Sequence, residues 1–131
     1  MSFAAKQGDK VLATDTHILM VPSPGGPVAT PTPLPFVGTI TSGCSTDVMI
    51  GGAPAAVVGS TVTNSPPHIC PPPATFQVPP TNQGTVVKGS GTVLINNKPA
   101  ARNGDKVNTC NDPVPQPKGS IIAAGTVIIG G

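Results

Sequence analysis

One pattern occurs twice in this chain, and nothing else constrains the fold as tightly. Val48-Met49-Ile50, Gly51-Gly52, Pro54-Ala55-Ala56-Val57 and Gly59-Ser60 can be laid without a gap on a later stretch. That stretch reads Val93-Leu94-Ile95, Asn96-Asn97, Pro99-Ala100-Ala101-Arg102 and Gly104-Asp105. Each copy holds a run of β-favouring residues, a turn-prone pair and a re-entry whose φ is fixed by proline. The chain ends carry further pieces of the pattern. Gly8-Asp9-Lys10-Val11 repeats Gly104-Asp105-Lys106-Val107, and Gly125-Thr126-Val127-Ile128-Ile129 repeats Gly91-Thr92-Val93-Leu94-Ile95. The chain stops at Gly130-Gly131, where the turn would come. With the N-terminal tail completing the C-terminal head, three modules result, closed like a circular permutation. Residues 1–7 read as a lead-in that docks elsewhere.

A unit that cannot bury its own apolar face is stabilised by its copies. Three copies predict pseudo-threefold symmetry about an axis, and such a shape matches a trimeric partner through three equivalent contacts.

At 131 residues the chain is a single domain, 1–131. Charged residues make up 9% and the net charge is +2, which gives no electrostatic case for nucleic acid. Aromatics are 2%, with no Trp or Tyr, so base-stacking platforms are also missing. The 18 prolines and 16 glycines approach a disordered composition, but low charge and Val/Ile/Thr runs oppose it. The expectation is an ordered, loop-rich, all-β protein with a thin core, which calls for a staple. Three cysteines form no evident disulfide framework. Met1–Asp9 lacks a charged-then-apolar signal pattern and no apolar run would span a bilayer, so synthesis in the cytosol without a signal peptide is expected.

Proline is concentrated between the modules. Pro22-Ser23-Pro24-Gly25-Gly26-Pro27 continues through Pro31, Pro33 and Pro35, and Pro66-Pro67-His68-Ile69-Cys70-Pro71-Pro72-Pro73 follows the first full module. This density excludes helix and disfavours central strands, so extended, polyproline-like loops are predicted. Val28, Leu34, Phe36 and Val37 are interleaved with the first of them, which favours packing on the body over a free linker. Residues 74–83 read as further irregular chain.

Each module delivers one metal-ligand side chain shortly after its second turn. His17 lies nine residues after Gly8, His68 nine after Gly59, and Cys110 six after Gly104. Modules around one axis would bring these three together at one end, where a zinc ion would tie down three long loops. The fourth ligand stays open. Cys70 is near His68, but a polyproline-like backbone has three residues per turn and sets positions two apart on different sides. Cys44 reads as a small buried group. Asp15, two residues before His17, is placed to orient its imidazole. Asp9 and Asp105, at Gly-Asp turns, are expected to bond nearby backbone. No nucleophile–base arrangement is evident, and a zinc hydrolase would need a general base for which the chain holds no Glu.

The tetrapeptide Pro99-Ala100-Ala101-Arg102 is the Pro-Ala-Ala-Arg signature of the PAAR-repeat family. The resemblance extends to Gly8-Asp9, His17 through Pro27, Pro66-Pro67-His68, and Gly104-Asp105 through Cys110-Asn111-Asp112. It implies a small conical all-β fold of three pseudo-threefold β-hairpin repeats with Pro-rich loops. It also implies a non-enzymatic, structural role: capping the trimeric β-helical spike of a contractile injection system, type VI or phage-tail-like, and sharpening it for piercing a target membrane. The alternative is an adaptor that attaches effector cargo to the tip through residues 22–38 and 71–83. Such proteins are monomers on a trimeric spike, delivered by the apparatus to the target cell or carried on a released particle. Family members hold zinc near the point, commonly with three histidines and one cysteine. By resemblance His17, His68 and Cys110 take three places. Similar proteins tend to have the remaining histidine where this chain reads Pro33-Leu34-Pro35-Phe36, so Cys70 or a water is left for the fourth, or the site is weak or empty. The first module reads Pro54-Ala55-Ala56-Val57, without the arginine.

Overall fold

The computed structural model describes residues 2–130 and contains no helix among them. The chain runs through β1 (Ser2–Phe3), β2 (Lys10–Val21), β3 (Val28–Ser42), β4 (Met49–Ile50), β5 (Ala53–Pro54), β6 (Thr61–Asn64) and β7 (Thr75–Phe76). It continues through β8 (Gln83–Val86), β9 (Leu94–Ile95), β10 (Lys98–Pro99), β11 (Lys106–Thr109), β12 (Gln116–Ile122) and β13 (Ile128–Ile129).

At one end stand three matched hairpins. β4 pairs β5 across Gly51-Gly52, and β9 pairs β10 across Asn96-Asn97. All four turn residues have positive φ, which a two-residue turn of this hand requires and Gly and Asn tolerate. The third hairpin joins the chain ends, with Ser2 opposite Ile129 and Phe3 opposite Ile128. Residues 2–7 are therefore not a lead-in, and Met1 lies outside the described residues. Phe3-Ala4-Ala5-Lys6 is the third copy of Pro54-Ala55-Ala56-Val57 and Pro99-Ala100-Ala101-Arg102.

The backbone shows why each copy needs two alanines. Ala5 N–H donates to Ala101 O, Ala101 N–H to Ala56 O and Ala56 N–H to Ala5 O, each at 3.0 Å. This is a closed ring of hydrogen bonds around the axis. All six alanines of the three copies are buried there, where three backbones approach too closely for a larger side chain. The next residues close each turn. Asp9 Oδ2 accepts from Lys6 N–H and Asp105 Oδ2 from Arg102 N–H, as expected of the Gly-Asp turns. Ser60 Oγ does the same for Val57 N–H, so the first full module keeps the turn without a charge. Arg102 is bidentate on Asp105, and that contact raises its pKa.

Beyond the ring, β12-β11-β8-β6-β3-β2 closes into a six-stranded barrel through the β12–β2 pair. Val11, Val62 and Val107 point inward from one strand of each module, and Ile40, Val86 and Ile121 from the other. All six are fully buried. Two residues along from the second trio come Gly38, Gly84 and Gly119. A Cβ at Gly84 would sit 2.6 Å from Asn108 O, and one at Gly38 would sit 2.5 Å from Val62 Cγ1. The strands approach that closely only because these side chains are missing.

The first proline-rich passage is a loop only over residues 22–27. Residues 28–42 form one strand, β3, and Val28 through Thr39 pair without a break against Val21 through Lys10 of β2. The prolines fit because they alternate. Val37 N–H and C=O point away from β2, toward Asn64 and Ser65. Pro31, Pro33 and Pro35 share that parity, so the N–H that each lacks would have faced outward and not into the ladder. They also strip donors from an exposed edge, which guards it against strand addition. Residues 74–83 include β7, which adds to β2 through Leu19–Phe76 and Met20–Thr75.

Candidate metal centre

At the end of the barrel away from the alanine ring, four buried side chains converge. They are Asp15, His17, His68 and Cys110, and their donor atoms all lie within 4.8 Å of one another. Alternation along β2 turns Val11, Asp15, His17 and Leu19 to the inside, so Asp15 and His17 share a face. His68 lies in the segment after β6. Its N–H donates to Asn82 Oδ1 at 2.7 Å, and that same oxygen accepts from Asn64 Nδ2. Cys110 directly follows β11.

His68 Nε2 is 3.4 Å from Asp15 Oδ2, and Cys110 Sγ is 3.6 Å from the same oxygen. Cys110 Sγ is 3.8 Å from His17 Nε2. The two imidazole rings are 4.7 Å apart, tilted by 60°. Metal–ligand bonds of zinc length give tetrahedral edges of about 3.3–3.8 Å. The donor set is two nitrogens, one sulfur and one oxygen, and three of its separations, at 3.4, 3.6 and 3.8 Å, match such edges.

The surroundings fix these atoms. Thr109 Oγ1 donates to Asp15 Oδ1, which leaves Oδ2 for the cluster. His17 Nδ1 faces Asp112 Oδ2 at 3.3 Å, which leaves Nε2. Phe76 meets the His17 ring edge-on at 5.9 Å. Burial lowers the pKa of His68, with Asp15 opposing. Burial and the Asp15 charge push the Cys110 thiol up to about 11. A dication would offset both costs by binding the thiolate and the carboxylate together.

The structure thus brings together His17, His68 and Cys110, and leaves Cys70 outside. Cys70 is half-buried two residues past His68, beyond the cluster. The fourth side chain of the cluster is Asp15, which the sequence alone assigns only an orienting role. The signal for Asp15 lay in Asp15-Thr16-His17, since residues two apart on a strand share a face. Phe36 fills the inward position of β3, fully buried with its ring 6.2 Å from that of His68. Cys44 is half-buried against the core, and burial raises its pKa.

The family profile described as PAAR motif matches residues 20–108 and again 76–131. No curated protein matches the chain. No helix among the described residues is long and apolar enough to cross a membrane. The profile covers well over half of the chain, including Ala56 and Ala101 of the ring. The chain belongs to the PAAR-motif family, the structural spike-tip proteins of contractile injection systems.

Proposed function

We propose that this protein caps the trimeric spike of a contractile injection system as a monomer, with its hairpin end seated on the spike and its metal end leading. The observation that carries this reading is the surface of the three hairpins. Ile50, Ile95 and Ile129 are buried at 8%, 8% and 6% exposure, while their neighbours Met49, Leu94 and Ile128 stand 56%, 60% and 54% exposed. Three equivalent apolar side chains, repeated about the axis, form a surface that a threefold partner can cover at three points at once. Val48 and Val127, also exposed, extend it.

At the other end, Asp15, His17, His68 and Cys110 would hold one zinc ion. The ion would supply folding free energy where prolines replace hydrogen-bonded structure. This reading needs no reaction: a stiff point concentrates force on the target membrane. The protein would be made in the cytosol and leave with the apparatus.

The test is a variant carrying Met49→Asp, Leu94→Asp and Ile128→Asp. All three side chains point to solvent, so the β-sheet circular dichroism and zinc content should match those of the wild type. The variant should nonetheless fail to sediment with assembled injection particles. A variant that still co-sediments at the wild-type level would overturn the docking face.

A further inference from the structure

Asn111 and Asp112 follow Cys110 and stand in for a missing strand. β2 pairs with β12 at Lys10–Leu12 and with β7 at Leu19–Met20. Between those segments, the same edge is met by two side chains. Asn111 Oδ1 accepts from Thr16 N–H at 2.7 Å, and Asp112 N–H donates to Thr16 O at 2.8 Å. Asp112 Oδ2 accepts from Ile18 N–H at 3.0 Å. That oxygen also lies 3.3 Å from His17 Nδ1, in a pair whose side chains are only 1% and 9% exposed.

We propose that Asp112 is a positioning residue for His17. Its carboxylate selects the tautomer that carries hydrogen on Nδ1 and turns the Nε2 lone pair toward Cys110 and Asp15. A neutral imidazole has one donor and one acceptor nitrogen, and a carboxylate accepts only, so the pairing leaves a single arrangement. Because Oδ2 is anchored by Ile18 N–H, the carboxylate cannot follow the ring, and the ring is held to the backbone of its own strand. Thr109 serves Asp15 in the same sense, by occupying Oδ1. Both partners flank Cys110 in sequence, so Thr109 and Asp112 orient the two ligands that face it.

The effect on metal rests on the zinc reading above, but the tautomer can be measured without metal. Long-range nitrogen–proton NMR on metal-free protein should show His17 with hydrogen on Nδ1. Asp112→Ala should lose that single tautomer, and zinc affinity by chelator competition should fall about 10–100-fold. Asp112→Asn, which keeps an accepting oxygen, should retain the tautomer and lose less affinity. Asn111→Ala removes an edge contact without touching the ring. It should lower the melting temperature yet leave the tautomer and zinc affinity as in the wild type.

An unchanged tautomer in Asp112→Ala, or an equal loss of affinity in Asn111→Ala, would overturn the assignment. Should Asp112→Ala fail to fold, wild-type metal-free protein whose His17 carries its hydrogen on Nε2 would overturn it as well. Wild-type protein that binds no zinc but shows the Asp112-dependent tautomer would support the positioning role and count against the zinc reading alone.

Discussion

Stripping zinc from the loaded protein with a chelator is expected to cost about 4 kcal/mol of stability, when the free metal had stood about 1,000-fold above its dissociation constant. For a chain of this size that corresponds to a fall in melting temperature of roughly 10–15 °C. The magnitude follows from that ratio, and the place of the ion says which elements it would hold. The alanine ring and barrel hold the rest of the fold by backbone hydrogen bonds and six buried Val and Ile side chains. At the cluster end, one ion would link β2, the His68 segment and the end of β11 directly, adding to the hydrogen bonds that Thr109, Asn111 and Asp112 make to β2. Elemental analysis of purified variants separates the ligands. His17→Ala, His68→Ala, Cys110→Ala and Asp15→Ala should each lose retained zinc, while Cys70→Ser and Cys44→Ser should keep one ion per chain. Zinc lost in Cys70→Ser and kept in Asp15→Ala would move the fourth ligand back to Cys70.

The second large effect concerns the chain ends. Ile129-Gly130-Gly131 followed by Ser2 would repeat Ile50-Gly51-Gly52-Ala53, and Ser2 already pairs with Ile129. A backbone-cyclised form joining Gly131 to Ser2, with Met1 omitted, would give the third hairpin a two-residue turn like that of the first. Closing a loop of this length removes entropy from the unfolded chain worth about 4–5 kcal/mol. Little native strain should offset it, since Ser2 and Ile129 are partners already. The cyclic form should melt roughly 10–15 °C above the linear protein. Equal or lower melting temperatures would mean that the third hairpin is not built like the other two.

What the sequence made legible follows a physical division. The hairpins were readable because their turns need Gly or Asn and their strands need β-branched residues, so the pattern survives in the letters. The placement of His17, His68 and Cys110 shortly after the second turns was meaningful because Gly8, Gly59 and Gly104 occupy one level. Their N–H groups donate to Ile40, Val86 and Ile121 in turn. The third alanine pair is hidden in the letters because Phe3 stands where the other copies have proline. β3 was missed because proline counts against a strand on average, whereas alternate proline on an edge is harmless to the ladder. Asp15 was assigned a secondary role because the His17 segment was not placed on a strand, where alternation would have turned both side chains inward. The alternation of Gly38, Gly84 and Gly119 with buried Ile40, Val86 and Ile121 was also present in the letters. It becomes interpretable only once the strands are known to converge.

The central claim is that one chain with internal threefold repetition sits on a threefold partner. It is tested most directly by native mass measurement of this protein bound to the trimeric spike protein of its own injection system. The account predicts one copy per spike trimer, with the complex lost when Met49, Leu94 and Ile128 are all replaced by Asp. Three copies per trimer, or a single-copy complex indifferent to those replacements, would contradict it.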